Sequence, residues 1–316
     1  MRTLKHPGPV GLSKTSVVPA YTREVRFLLE PGKHFLAALQ HQLESLNAES
    51  AVAQIKGGSF NPFIYVMPAL SNTPDYAVYF SDRFEPQGVV RLIEGCVTYG
   101  SNQGKPMLHC HARWVDANGQ PGCGHLLPHE CIIDEPIEVF AWVVEGAQFQ
   151  VIPDEETHFS LFQPVSTQQE DHFFRQGKDS AHASSPDISR GNSDPRPFDQ
   201  TSQYKSAFAI RIGANQDVCQ TISNICRERN ILQAHFVGGV GSTIGARFVD
   251  GSVVDPHVTE LYLNSGKVTY DGSHHDVEID VTMIDYLGGI SSGRLLSGEN
   301  PVLVTMELVM VTDHRA

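Results

Sequence analysis

Residues Met107 to Leu127 read MLHCHARWVDANGQPGCGHLL, and their pattern predicts a strand, a turn and a returning strand. In a β-strand, alternate side chains point to the same face, so His109 and His111 face the same way. Residues 116–119 have the composition of a turn, and His125 follows on the returning strand. The sequence therefore predicts that three imidazoles converge on one point.

Three imidazoles with an open fourth position are typical of a catalytic transition-metal site. We predict that His109, His111 and His125 bind a divalent metal ion, with Zn²⁺ as the first choice. The alternative is a hydrogen-bonded cluster of histidines on the face of a sheet, and the pattern alone leaves it open.

Three further residues are candidates for a catalytic role. Arg113 continues the alternation of His109 and His111, so it could hold a carboxylate of the substrate; it could equally be a solvent-facing residue at the strand end. Glu130 and Glu156 could act as a general base or as partners of the histidines, or could belong to charged loops. An enzyme with these residues would be a metal-dependent hydrolase or lyase, but the sequence does not decide whether the chain is an enzyme.

The composition is that of an acidic globular protein. The 316 residues include 23 Lys plus Arg and 36 Asp plus Glu, which gives a formal net charge of −13 and no basic stripe. This charge argues against binding to nucleic-acid phosphates. The N-terminus has no apolar signal-peptide core and the chain has no long apolar run, so we expect a cytoplasmic protein with no membrane contact. The six cysteines form no CxxC pair and are predicted to be free thiols.

Length and pattern predict two domains. Residues 22–164 and 204–313 each begin with an alternating strand, followed by a glycine and an amphipathic helix. Residues 165–203 are polar and contain several prolines, and we interpret them as a linker. Residues 1–21 form an N-terminal arm before the first domain.

The second half contains an ungapped counterpart of the opening stretch. Residues 276–296 read DVEIDVTMIDYLGGISSGRLL, and their pattern follows that of residues 107–127, which indicates an internal duplication. The matched positions are His109 with Glu278, His111 with Asp280 and His125 with Arg294. Two carboxylates and a guanidinium could form a salt-bridged network, but Arg294 has no lone pair to give to a metal.

These landmarks resemble the plants-and-prokaryotes-conserved (PPC) domain, more closely over residues 22–164 than over 204–313. The motifs that carry the resemblance are Pro31-Gly32, Gly57-Gly58-Ser59, His109-Cys110-His111, Asp116-Ala117-Asn118-Gly119 and Cys123-Gly124-His125-Leu126. The resemblance implies an α+β fold, with two tandem domains that each have a mainly antiparallel sheet packed with a helix. It also implies association into a homotrimer.

The resulting hypothesis is a metal-binding PPC protein that binds, and in one version transforms, a small anionic metabolite at the three histidines. The second domain would be a degenerate copy that builds the oligomer. One alternative is a DNA-associated regulator, because plant members of the family carry AT-hooks, but the Arg-Gly-Arg-Pro core is absent here. The other alternative is a non-catalytic ligand sensor or scaffold with a structural metal.

Overall fold

The computed structural model describes residues 1–167 and 204–312. These residues form 21 strands and two helices. In the first half the elements are β1 Thr15–Leu29, α1 Phe35–Ser45, β2 Ala51–Lys56, β3 Ser59–Phe60, β4 Tyr65–Val66, β5 Pro68–Leu70, β6 Val78–Phe80, β7 Val90–Asn102, β8 Lys105–Val115, β9 Pro121–Leu126, β10 Ile133–Glu135, β11 Ile137–Glu145, β12 Ala147–Pro153 and β13 Ser160–Ser166. In the second half they are β14 Lys205–Gly213, α2 Val218–Glu228, β15 Gln233–Thr243, β16 Ala246–Arg247, β17 Val253–Val254, β18 Thr259–Tyr270, β19 His275–Asp285, β20 Ile290–Arg294 and β21 Val302–Thr312. Residues 168–203, which make up most of the predicted linker, lie outside the described part.

The predicted α+β class is wrong, because the fold is mostly antiparallel β-sheet. Seventeen strands join in one sheet, and the two helices have only 11 residues each. The amphipathic patterns did mark helices, but α1 contributes just four buried residues to a core that otherwise comes mainly from strands. The halves are therefore not two separate sheets that are each packed with a helix.

Strand β1 joins the sheets of the two halves. Its residues 21–29 pair with β11 of the first half, and its residues 15–22 pair with β14 of the second half. Both pairings are antiparallel. Consecutive segments of this one strand therefore connect the strands of both halves in one sheet.

The two halves also share an apolar contact. One buried cluster combines Val52 and Phe149 of the first half with Val237 and Val309 of the second. A Cβ atom at Gly238 would lie only 2.9 Å from Val52 Cβ, so the glycines of β15 allow the two sheets to approach closely. This contact places β18 and β21 of the second half against the histidines of the first half.

The matched stretches have the same strand-turn-strand structure. His111 lies opposite His125 on β8 and β9, and Asp280 lies opposite Arg294 on β19 and β20. The turns are alike as well: Asp116 Oδ1 accepts hydrogen bonds from the backbone two and four residues ahead, and so does the carboxylate at position 285. The ungapped comparison of the sequences thus corresponds to equivalent positions in space.

All six cysteines are buried and unpaired, as the sequence predicts. In the described residues, neither helix is long and apolar enough to cross a membrane.

Candidate metal centre

The structure brings the three predicted histidines together. His109 and His111 lie two residues apart on β8, and His125 lies opposite His111 on β9. His109 Nε2 is 3.2 Å from His111 Nε2, which is 3.2 Å from His125 Nδ1. The potential ligand atoms of all three lie within 4.8 Å of one another.

The second half fixes the orientation of two of these rings. His109 Nδ1 donates to the carboxylate of Glu307 on β21, at 2.9 and 3.0 Å from its two oxygens. His111 Nδ1 donates to the backbone carbonyl of Leu261 on β18, at 2.8 Å. A histidine that binds a metal usually donates its other ring N–H in this way. Residues of both halves therefore form the centre.

These hydrogen bonds decide which ring nitrogens carry lone pairs. Because Leu261 O can only accept, the proton of a neutral His111 is on Nδ1, and its Nε2 carries one lone pair. That lone pair faces two ring nitrogens at 3.2 Å, one from His109 and one from His125. One lone pair can accept a hydrogen bond from only one of these nitrogens, so the other lies at 3.2 Å without a hydrogen bond to His111 Nε2. A cation between the rings removes this conflict.

The surroundings keep two of the imidazoles neutral. Burial lowers the pKa of His111 well below its usual range, and the neighbouring His109 and His125 lower it further. Burial, together with His109, lowers the pKa of His125 to about 3. Burial also acts to lower the pKa of His109, but the carboxylates of Glu307 and Glu260 together outweigh it and raise that pKa. Neutral rings are the form that binds metals.

Glu260 is a buried carboxyl group beside the triad. Glu260 is the second residue of β18 and is 8% exposed. Its Oε2 has no hydrogen-bond partner among the described residues. The same oxygen lies 3.9 Å from His111 Nε2. Burial raises the pKa of Glu260 to about 8. An unpaired buried carboxylate is costly, and a metal ion at the histidines would provide its partner.

Two of the three spacings between donor atoms match those around a tetrahedral metal ion. Zn–N bonds of about 2.0–2.1 Å place neighbouring ligand atoms about 3.3 Å apart around a tetrahedral centre. The two nitrogen–nitrogen distances of 3.2 Å, from His111 to His109 and from His111 to His125, agree with this value. The ligand atoms of the third pair, His109 and His125, lie within 4.8 Å of each other. The three histidines therefore fit a divalent metal, and Glu260 is the nearest buried carboxylate that could complete its coordination.

A cavity of about 210 Å³ opens beside the triad. Most of its lining is apolar: Pro68, Val78, Tyr79, Phe80, Met107, Leu108, Val151, Phe159, Leu161, Phe162, Val258, Leu303 and Val304. Besides Tyr79, its ionisable residues are the three histidines, Glu260 and Glu307. The phenyl ring of Phe80 lies against His125, with 5.2 Å between the ring centroids.

The other predicted site residues lie away from this cavity. Arg113 Nε lies 3.2 Å from a carboxylate oxygen of Glu94, and the arginine side chain is 39% exposed. Glu130 is paired with Arg83 in a surface loop. None of these residues belongs to the lining of the cavity.

Glu156 lies in a different, charged pocket. Lys14 Nζ donates to both of its carboxylate oxygens, at 2.5 and 2.6 Å. The same pocket contains the ion pair of Arg211 with Asp154, at 2.8 Å. The roles predicted for Arg113, Glu130 and Glu156 stay predictions, and the structure brings none of them to the histidines.

The matched positions in the second half form an ion-pair network, as the sequence analysis suggested. Arg294 Nε lies 3.0 Å from Asp280 Oδ1, and the same guanidinium pairs with Glu278. Within residues 1–167 and 204–312, the three histidines are the one cluster of potential metal ligands found. The two halves thus use equivalent positions for different chemistry.

Sequence reasoning missed Glu260, Glu307 and the carbonyl of Leu261. One signal was present: each glutamate interrupts an apolar strand sequence, as in Val-Thr-Met-Glu-Leu-Val-Met around position 307. A charged residue inside a buried strand is rarely left without a partner. What the sequence could not show is which strand of the other half this charge faces.

Comparison with known proteins finds a family match in the second half. Residues 199–313 match the model of the Plants and Prokaryotes Conserved (PCC) domain, the domain abbreviated PPC above. The match covers a little over a third of the chain. The match falls on the half without the histidines, although the motif resemblance is closer in the first half. A search of curated proteins finds no match.

Several solved structures are similar to part of the chain. A PPC protein from Pyrococcus horikoshii is 16% identical with a TM-score of 0.37, and the match covers 50% of this chain and 99% of that one. A metal-containing protein from Archaeoglobus fulgidus is 16% identical with a TM-score of 0.38, covering 52% and 99%. A candidate DNA-binding protein from Ralstonia eutropha is 17% identical with a TM-score of 0.33, covering 44% and 89%.

Proposed function

We propose that this chain is a metal-binding protein with one divalent ion, most suitably Zn²⁺, bound by His109, His111 and His125. The second half supports the ligands through Glu260 and Glu307. The ion would bind a small molecule in the adjoining cavity.

One observation carries this proposal. His111 Nε2 has a single lone pair, yet two other ring nitrogens lie 3.2 Å from it. Its Nδ1 donates to Leu261 O. A neutral His111 ring with the proton on Nε2 instead, toward a neighbouring histidine, would lose that hydrogen bond. A cation that accepts lone pairs from all three rings is the simplest occupant of such a site.

The carboxylates have separate tasks in this proposal. Glu307 holds His109 so that Nε2 faces the ion and increases the basicity of the ring, while Glu260 balances the charge of the ion from the side of His111. Glu260 is also the nearest group that could take a proton from a bound molecule, so it would be the base if the protein is a hydrolase or lyase. When bound, the ion itself would act as a Lewis acid toward a carbonyl or a water.

We also propose that residues 22–164 are a second copy of the PPC domain, duplicated within the chain. The equivalent strand pairings on β8–β9 and β19–β20 support this proposal. Trimeric association, which the family resemblance implies, stays a prediction that analytical ultracentrifugation can test.

The test is elemental analysis of the purified full chain, before and after reconstitution with Zn²⁺ and removal of the excess. We expect about one ion per chain, and His111→Ala should lower this content by at least about tenfold. His129→Ala is the matched control, because His129 is exposed and far outside the triad. The proposal fails if the reconstituted protein holds no stoichiometric metal, or if His111→Ala retains it.

A further inference from the structure

We infer that the cavity beside the triad takes a neutral small molecule with an apolar body of aromatic size and one oxygen that faces the histidines. The sequence pointed to an anionic metabolite because Arg113 was expected to face the site. This inference rests on the proposed metal site and names the class of its ligand.

Charge balance is the first argument. Glu307 and Glu260 are both buried at the site, 1% and 8% exposed. Two carboxylates offset the two positive charges of a divalent ion bound by three neutral imidazoles. The centre therefore has no surplus positive charge with which to attract an anion, and burial of a further charge there would be costly.

The lining of the cavity is the second argument. Its described residues include no lysine and no arginine. The nearest candidate in sequence, Arg113, is engaged with Glu94 instead. A carboxylate or phosphate ligand would therefore enter without a cationic partner other than the ion, whereas a neutral ligand needs none.

The aromatic wall is the third argument, because it gives the ligand an apolar surface next to the proposed ion. Phe80 contacts the ring of His125, and its centroid lies 6.1 Å from that of Phe159. Tyr79 stacks on Phe159 with 6.0 Å between centroids. Such rings bind a flat apolar body through offset or edge contacts.

The volume limits the size of that body. An apolar protein cavity of about 150 Å³ accommodates benzene. By the same ratio of volume to atoms, the cavity here, at about 210 Å³, has room for about eight or nine non-hydrogen atoms. An aromatic ring that carries one carbonyl group has this size.

Benzamide and benzoate form a matched pair of probes, since they have nearly the same shape and differ in charge. Binding of each to the Zn²⁺-loaded full chain is measured by isothermal titration calorimetry. We expect benzamide to bind at least about tenfold more tightly than benzoate. Equal binding, or tighter binding of benzoate, would overturn the inference, and so would the failure of both probes to bind.

A positive charge added to the lining of the cavity tests whether the missing cation is what disfavours an anionic ligand. Met107 is exposed, lines the cavity and lies on β8. Met107→Lys should improve the affinity for benzoate relative to benzamide by about tenfold, because it supplies the missing cation. Met107→Gln is the control for loss of the methionine and should leave the ratio unchanged. An unchanged ratio in the lysine variant would contradict the charge argument.

These outcomes separate the inference from the proposed function. Zinc content is measured on every sample before titration, so a protein without metal refutes the metal site and is recognised as such. A protein with one ion per chain that prefers benzoate refutes only the ligand class.

Discussion

Glu260→Gln gives the sharpest prediction, because it should act in opposite directions with and without metal. In the metal-free protein, burial raises the pKa of Glu260 from 4.5 to about 8. The folded state then holds a proton that the unfolded state releases above pH 4.5. The free energy of unfolding therefore falls as the pH rises from about 4.5 to 8, by about 1.4 kcal/mol for each unit of difference between the folded and unfolded pKa of Glu260. The full loss is about 5 kcal/mol.

A glutamine has no proton to release, so the metal-free variant should escape this loss. We expect metal-free Glu260→Gln to be more stable than the metal-free parent by several kcal/mol at pH 8.5 and about equal to it at pH 5. The measurement is urea unfolding of chelator-treated protein at both pH values. His109 also has a raised pKa and loses stabilisation as the pH rises. The charge of Glu260 contributes to that shift, so the difference between the two proteins includes the coupling of Glu260 with His109.

Glu135→Gln, a change at an exposed carboxylate, is the control and should alter neither value measurably. The reasoning is refuted if Glu260→Gln is less stable than the metal-free parent at pH 8.5, or if the difference is the same at both pH values. Metal should reverse the order, because the carboxylate then has a partner. Zn²⁺ should stabilise the parent more than the variant at pH 8.5.

Substitutions at three other positions test the remaining contacts. Glu307→Gln should weaken Zn²⁺ binding by about 10–100-fold in chelator competition, because His109 loses the carboxylate that orients it, and Glu307→Asp should restore part of the affinity. Asp154→Asn should lower the free energy of unfolding in urea by about 3–5 kcal/mol, because it leaves the buried Arg211 guanidinium without its carboxylate; a loss below 1 kcal/mol would contradict this account. Arg294→Ala should cost no more than about 1 kcal/mol in the same assay and leave the zinc content unchanged, since its ion pairs are partly exposed.

The local part of the site could be predicted from the sequence because short-range geometry determines it. The alternation of His109 and His111 follows from the period of a strand, and the turn at residues 116–119 returns the chain so that His125 lies opposite His111. The same reasoning predicted the ion pairs of Arg294. These contacts all lie within one strand-turn-strand unit.

The rest of the site depends on contacts between the halves, which no local pattern specifies. Glu260 and Glu307 reach the histidines only because β18 and β21 pack against the first half. The fold class failed for a related reason. Each half has a recognisable helix, but strand β1 pairs with both β11 and β14, and this pairing merges the halves into one largely antiparallel sheet.

The second half differs from the first in the chemistry of the matched positions. Where the first half has its histidines, the second has an exposed ion-pair network. Conversely, the position that Glu260 occupies in the second half is held by Arg91 in the first, as the strand pairings opposite Ile284 and Val115 show. Arg91 is exposed and faces no metal ligands. One half thus provides the three imidazoles, and the other provides the buried carboxylates beside them. In a chain with two identical halves, each half would need both the histidines and the glutamates. In this chain, one contact between two different halves brings both sets of groups to a single centre.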